Sequence, residues 1–137
     1  MNRSDLQRLA RTRINEAKVL LENGRYEGAY YLAGYAVECA LKACIAKQTQ
    51  RQEFPDKKRV DDSYTHDLAK LARVANLEND LKKETQLNSA FDSYWSFVVG
   101  WSEAARYQFV TPESATNLYN AITDRQHGVL SWLKKYW

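Results

Sequence analysis

Residues 29–47 read AYYLAGYAVECALKACIAK, and Glu38, Lys42 and Lys47 are their only charged side chains. The composition is that of a buried helix, so the acid and base in its middle need a reason. On a helical wheel Tyr26, Tyr30, Ala33, Val37, Leu41 and Cys44 form one stripe. Tyr31, Tyr35, Glu38 and Lys42 form a second, at spacings of four, three and four. A helix that is apolar on two sides needs two neighbours. The second is either another helix of the same chain or a second copy of it. Glu38 and Lys42 stand in the favourable i,i+4 order, which is worth a few tenths of a kcal/mol on an exposed helix. Their other readings are a subunit interface or the wall of a polar cleft, and Arg13, amid the apolar stripe of the preceding helix, is a candidate further partner for Glu38.

Outward from this segment the apolar spacing stays helical, and only two prolines and five glycines interrupt it. A first helix is expected from Ser4 as its cap to the Asn23–Gly24 pair, with Leu6, Leu9, Ala10, Ile14, Ala17, Leu20 and Leu21 facing the core. The second runs from about Arg25 to Gln48. The stretch 48–64, QTQRQEFPDKKRVDDSY, has no period and balanced charges, and it reads as a long mobile loop. A short helix follows from Thr65. A fourth is expected over 79–101, with Leu87, Phe91, Trp95 and Val98 on one face. The last has a clear start: Thr111 caps, Pro112 suits the first position and Glu113 complements the dipole. Its expected core face is Ala115, Leu118, Ile122, Val129 and Leu133, with His127 on the same helix. The expected fold is all-α, an up-and-down bundle of four long helices and one short one in a single domain spanning 1–137.

The totals agree with one soluble globular domain: hydrophobic residues make up 45% and charged residues 27%, with a net charge of +3 that permits an acidic partner without demanding one. Cys39 and Cys44 lie about 500° apart in rotation and about 7.5 Å apart in rise on one helix, which excludes a relaxed disulfide between them. Two reduced thiols and no signal peptide point to the cytoplasm. The longest uncharged apolar run, Ala29 to Val37, is too short for a membrane span. No metal-ligand spacing, phosphate-cradling glycine loop or Gly-x-Ser-x-Gly elbow occurs, and no cofactor is expected.

The segments GRYEGAYYLAGYAVECALKA, THDLAKL and WSEAARY, in that order, resemble the HEPN family of small helical-bundle proteins. The second-helix pattern carries most of the likeness: a Tyr after a turn glycine, small and aromatic residues, then Ala-x-Glu-x-x-x-Lys-Ala. His66–Asp67–Leu68 and Arg106–Tyr107 add to it. The resemblance implies one of two roles. Many HEPN proteins are metal-independent ribonucleases, among them toxins and abortive-infection effectors. They use an Arg and a His four to six residues apart, completed by the same motif of a second protomer. Such a His moves protons while the Arg stabilises charge on the phosphorane. Others lack the motif and act as binding partners, commonly encoded beside a minimal nucleotidyltransferase.

The motif would begin at Arg106, yet ARYQFVTPE offers no His at the required positions. Arg59 and His66 have six residues between them but lie before the short helix, away from the family's place for the pair. The ribonuclease reading therefore rests on Arg59, His66 and Arg106 as catalytic candidates. The leading reading is a homodimeric binding or regulatory module for a nucleotidyltransferase-type partner, taking nucleotide or RNA at Arg106 and Tyr107. Tyr31, Tyr35, Glu38 and Lys42 then line an interface or cleft. A bare dimeric scaffold is the third reading.

Overall fold

The structure, a computed structural model, describes residues 1–50, 54 and 56–137. Asn2, not Ser4, starts the first helix, α1 (Arg3–Glu22). Its side chain accepts from the Asp5 amide (2.9 Å) while the Asp5 carboxylate accepts from the Asn2 amide (3.1 Å). This reciprocal pair satisfies two donors that a serine two residues later would leave open. Gly24, at φ 71°, turns the chain after α1 in the left-handed region.

The second helix, α2 (Tyr26–Gln50), lies at the centre. It packs against α1 and, further along, against three later helices and a 3₁₀ turn introduced below. Ala29, Ala33, Ala36, Val37, Ala40, Leu41, Ala43 and Cys44 are all buried. Alanines on several sides let neighbouring helices approach closely, which is how one helix serves so many partners. Its own chain covers part of the second stripe as well, with Trp101 beside Tyr31 and His66 on Glu38.

The stretch expected as a loop holds a helix, α3 (Lys57–Ser63), capped by the Asp56 side chain. It buries no residue, so no apolar period announces it. Positions 51–53 and 55, including Pro55, lie outside the described residues. The next helix, α4 (Leu68–Val74), is capped by Asp67, which accepts from the Lys70 amide at 3.0 Å.

Two helices expected to be continuous are each broken. Residues 79–101 form α5 (Glu78–Leu87) and α6 (Ser89–Val99), separated by Asn88 in an extended conformation. The Asn88 amide donates to the Glu84 carbonyl (2.8 Å) and its side chain accepts from the Phe91 amide (3.1 Å), so one residue closes α5 and opens α6. The corner throws Leu87 out to 76% exposure, while Phe91 and Val98 stay buried. After α6 comes a 3₁₀ turn, Glu103–Tyr107. Helix α7 (Pro112–Thr123) starts as expected, with Thr111 accepting from the Ser114 amide (3.1 Å). It ends before a turn at 124–128, and α8 (Val129–Leu133) follows. A Cβ on Gly128 would meet the Asp124 carbonyl oxygen at 2.3 Å, so this turn requires glycine. His127 therefore sits in the turn and not on a helix, where its Nδ1 lies 3.0 Å from the Asn88 side-chain Nδ2. The bundle is all-helical among the described residues; the first two expected long helices stand at full length, the other two are each broken, and with α3 the described residues hold eight helices and a 3₁₀ turn. No described helix is long and apolar enough to cross a membrane.

One buried aromatic is seated on a glycine. Trp101 is buried with its indole against Gly34 of α2, where a Cβ would lie 2.2 Å from the ring. Alanine would gain about 1 kcal/mol of helix propensity there, but burying an indole is worth more than that. Gly34→Ala should therefore lower unfolding stability by about 3 kcal/mol net, read from denaturant midpoints, because Trp101 must leave its seat.

Cys39 and Cys44 are both buried and unbridged. Burial pushes their thiols up, to about 11 and about 12 respectively, Glu38 adding to the rise at Cys39. The folded chain then keeps protons that the unfolded chain releases near its ordinary thiol value of 9.0. Their contribution is intact below that value and is lost as pH rises through the folded ones. Stability should fall steadily from about pH 9 to pH 11, less steeply in a Cys39→Ala/Cys44→Ala chain; iodoacetamide labelling at pH 8 should track global unfolding.

Candidate functional site

Glu38 is 1% exposed, the most deeply buried charge among the described residues. A carboxylate in that position is costly unless paired. Its Oε1 accepts from Lys42 Nζ (2.9 Å) and from His66 Nδ1 (2.9 Å), while Oε2 has no donor among the described residues. Lys42 comes from the next turn of α2 and keeps a partly exposed head. His66 comes from the segment just before the Asp67 cap of α4, held in place by the helix start that follows. Arg13, the other candidate for Glu38, pairs with Glu16 on its own helix.

A carboxylate only accepts, so the Nδ1 hydrogen of His66 is fixed toward Glu38 and Nε2 is the presented atom. Nε2 lies 3.2 Å from Glu103 Oε2 of the 3₁₀ turn, both side chains being roughly half exposed. The two share the rim of a cleft of about 510 Å³ with Thr65, Asp67, Trp101 and Ser102. An imidazole oriented by a buried carboxylate has the geometry of a general base once Nε2 is released. Here Nε2 faces the Glu103 carboxylate, which also only accepts, so the ring as arranged donates on both sides. The charges around it, Asp67 and Glu103, oppose a phosphodiester.

The other catalytic candidates stand apart from it. Arg59 gives its guanidinium to the Gln48 side-chain oxygen, which Asn76 also contacts at 3.2 Å. Gln48 is ten residues beyond Glu38 on α2, roughly 15 Å along the axis, and no described hydrogen bond or ion pair links Arg59 to His66. Arg106 is exposed and lies over the Tyr107 ring, 5.3 Å from its centroid. It is one 3₁₀ turn past Glu103, on the same side and roughly 6 Å further along, and it does not line the His66 cleft.

Tyr31 and Tyr35 are half-buried, their rings 5.8 Å apart, with Tyr31 6.1 Å from Trp101. Burial first, then Glu38, pushes the Tyr35 hydroxyl up. Tyr35, Glu38 and Lys42 border a second groove, of about 630 Å³, against the start of α1. Consecutive turns of α2 therefore receive Trp101 at Gly34 and His66 at Glu38. Sequence reasoning missed Trp101, Glu103 and the α1 wall of the groove. A glycine amid a helix costs about 1 kcal/mol relative to alanine, and Gly34 was the available sign of a close approach. Among the described residues no cluster of His, Cys, Asp and Glu could hold a metal ion.

Removing one member of a buried pair should hurt more than removing both. Lys42→Met alone is expected to lower stability by about 2 kcal/mol, and adding Glu38→Gln should restore most of the loss. A double-mutant cycle in urea reads this directly; additive effects would mean the pair is not coupled.

The family model described as the HEPN domain matches residues 4–135. No curated protein and no solved structure matches the chain. The match spans nearly the whole sequence and agrees with the all-helical architecture, and on that basis the chain belongs to the HEPN domain family.

Proposed function

We propose that this chain is a HEPN binding and regulatory module that takes nucleotide or single-stranded RNA on the segment Arg106–Phe109 and works with a nucleotidyltransferase-type protein. The observation that carries the ligand is the exposure of this segment. Tyr107 is 83% and Phe109 98% exposed, and Arg106 lies over the Tyr107 ring. Buried Trp101 and Ala105 anchor it on one side and buried Ala115 on the other, so bare aromatics and a cation stand on a fixed strut. Aromatic faces with an adjacent guanidinium suit stacked bases and their phosphates. Family membership, together with the missing histidine after Arg106, supports the partner part of the reading. Homodimerisation, which the family likeness also implies, belongs to the same proposal. The Tyr31–Tyr35 stripe has little free surface for it, being half covered by its own chain, so the contact has to draw on faces beyond α2.

One observation favours a second reading, a metal-independent ribonuclease of the toxin kind: Glu38 holds His66 at the rim of a cleft, with Nε2 beside Glu103. The distance of Arg59 and the acidic rim weigh against it.

A short labelled oligoribonucleotide, titrated at low salt and read by anisotropy, tests both readings. Arg106→Ala, Tyr107→Ala and Phe109→Ala should each weaken binding by about fivefold or more, the scale of one lost stacking contact. Equal affinity in all three variants would sink the binding proposal. Cleavage of the same RNA without metal, abolished by His66→Ala, would put the ribonuclease in its place.

A further inference from the structure

The groove between the start of α1 and the second half of α2 is separate from the Arg106 segment. Leu6 and Leu9 of α1 and Ile45 of α2 give it apolar walls, and Glu38 and Lys42 supply polar groups between them. A volume of about 630 Å³ is ample for a small organic molecule, and apolar walls with a few convergent polar groups are the usual make-up of such sites. The decisive atom is Glu38 Oε2. It belongs to a side chain that is 98% buried, it has no hydrogen-bond donor among the described residues, and its residue borders the groove. A buried acceptor left open on a carboxylate is a standing cost that a bound donor would remove. Lys42 Nζ, whose ammonium has three donor hydrogens and gives one to Oε1, borders the same space. Oε2 itself lies covered beneath the groove wall, so a small turn of the Glu38 side chain is needed to bring this acceptor beside the Lys42 donor.

The charges narrow the ligand further. A carboxylate or phosphate would meet Glu38 at close range. A cation would meet Lys42 and Arg3, which also borders the groove. We propose that this groove is a small-molecule site for an uncharged flat ring whose edge carries a hydrogen-bond donor next to an acceptor. The donor goes to Glu38 Oε2, the acceptor receives from Lys42 Nζ, and the ring packs between Leu9 and Ile45. Two compound classes present that edge, the primary carboxamides and the amino-heterocycles.

Nicotinamide and adenine are the probes, titrated into the full chain with methyl NMR shifts at Leu9 and Ile45 as the readout and benzoate as the control. Saturable shifts with either probe, at least tenfold weaker binding in Glu38→Gln, and none with benzoate are expected. Binding of nicotinamide alone assigns the carboxamide edge, and binding of adenine alone assigns the amino-heterocycle edge. Ala46→Trp, which fills the groove without touching Glu38, should abolish the shifts while its circular dichroism shows the fold intact. The proposal is overturned if neither probe shifts these methyls, if benzoate binds as well, or if the variants bind like the parent chain.

Discussion

Every feature near the site depends on one act, the burial of a carboxylate in the helix at the centre of the bundle. Glu38 could not be held there by Lys42 alone, because an i,i+4 contact on a single helix leaves most of the carboxylate unsatisfied. The His66 bond crosses from α2 to the segment that enters α4. A group that looks like a defect in an apolar helix therefore works as a fastening between sequence-distant segments. The same bond decides which histidine nitrogen faces outward, so the chemistry available at His66 follows from packing.

A second constraint is space along α2. Small residues on several faces let other elements share one axis, and the glycine at position 34 admits an indole. The Trp101 seat and the Glu38 fastening occupy neighbouring turns, so the 3₁₀ turn carrying Glu103 and Arg106 is held at a defined height. The exposed Tyr107 and Phe109 owe their fixed position to residues that never reach the surface.

Much of the fold could be read from periodicity and caps. Thr111, Pro112 and Glu113 marked the start of α7, and the length and burial of α2 followed from its composition. The corner at Asn88 was hidden because Leu87, Phe91, Trp95 and Val98 keep a helical spacing straight across it. The spacing alone cannot register a break that turns Leu87 out of the core while Phe91 and Val98 stay in it. The turn before α8 escaped for the same reason. Helix α3 was invisible because it has no apolar face to show. At the site, Glu38 and Lys42 drew notice as charges in an apolar run, but the tie to His66 spans 28 positions and no local spacing encodes it. Glu103 joined only once the fold brought the 3₁₀ turn alongside.

Helix α3 sits at the other extreme of stability. With no buried side chain it is held by the Asp56 cap and by a few polar contacts such as Arg59 with Gln48. Its opening exposes almost no apolar surface and so requires little of the free energy that unfolds the bundle. By this reasoning α3 opens on its own, while the buried middle of α2 opens only with the bundle. Helices α3 and α2 thus lie at opposite ends of the range of stability among the described residues, although the Arg59–Gln48 contact ties one to the other.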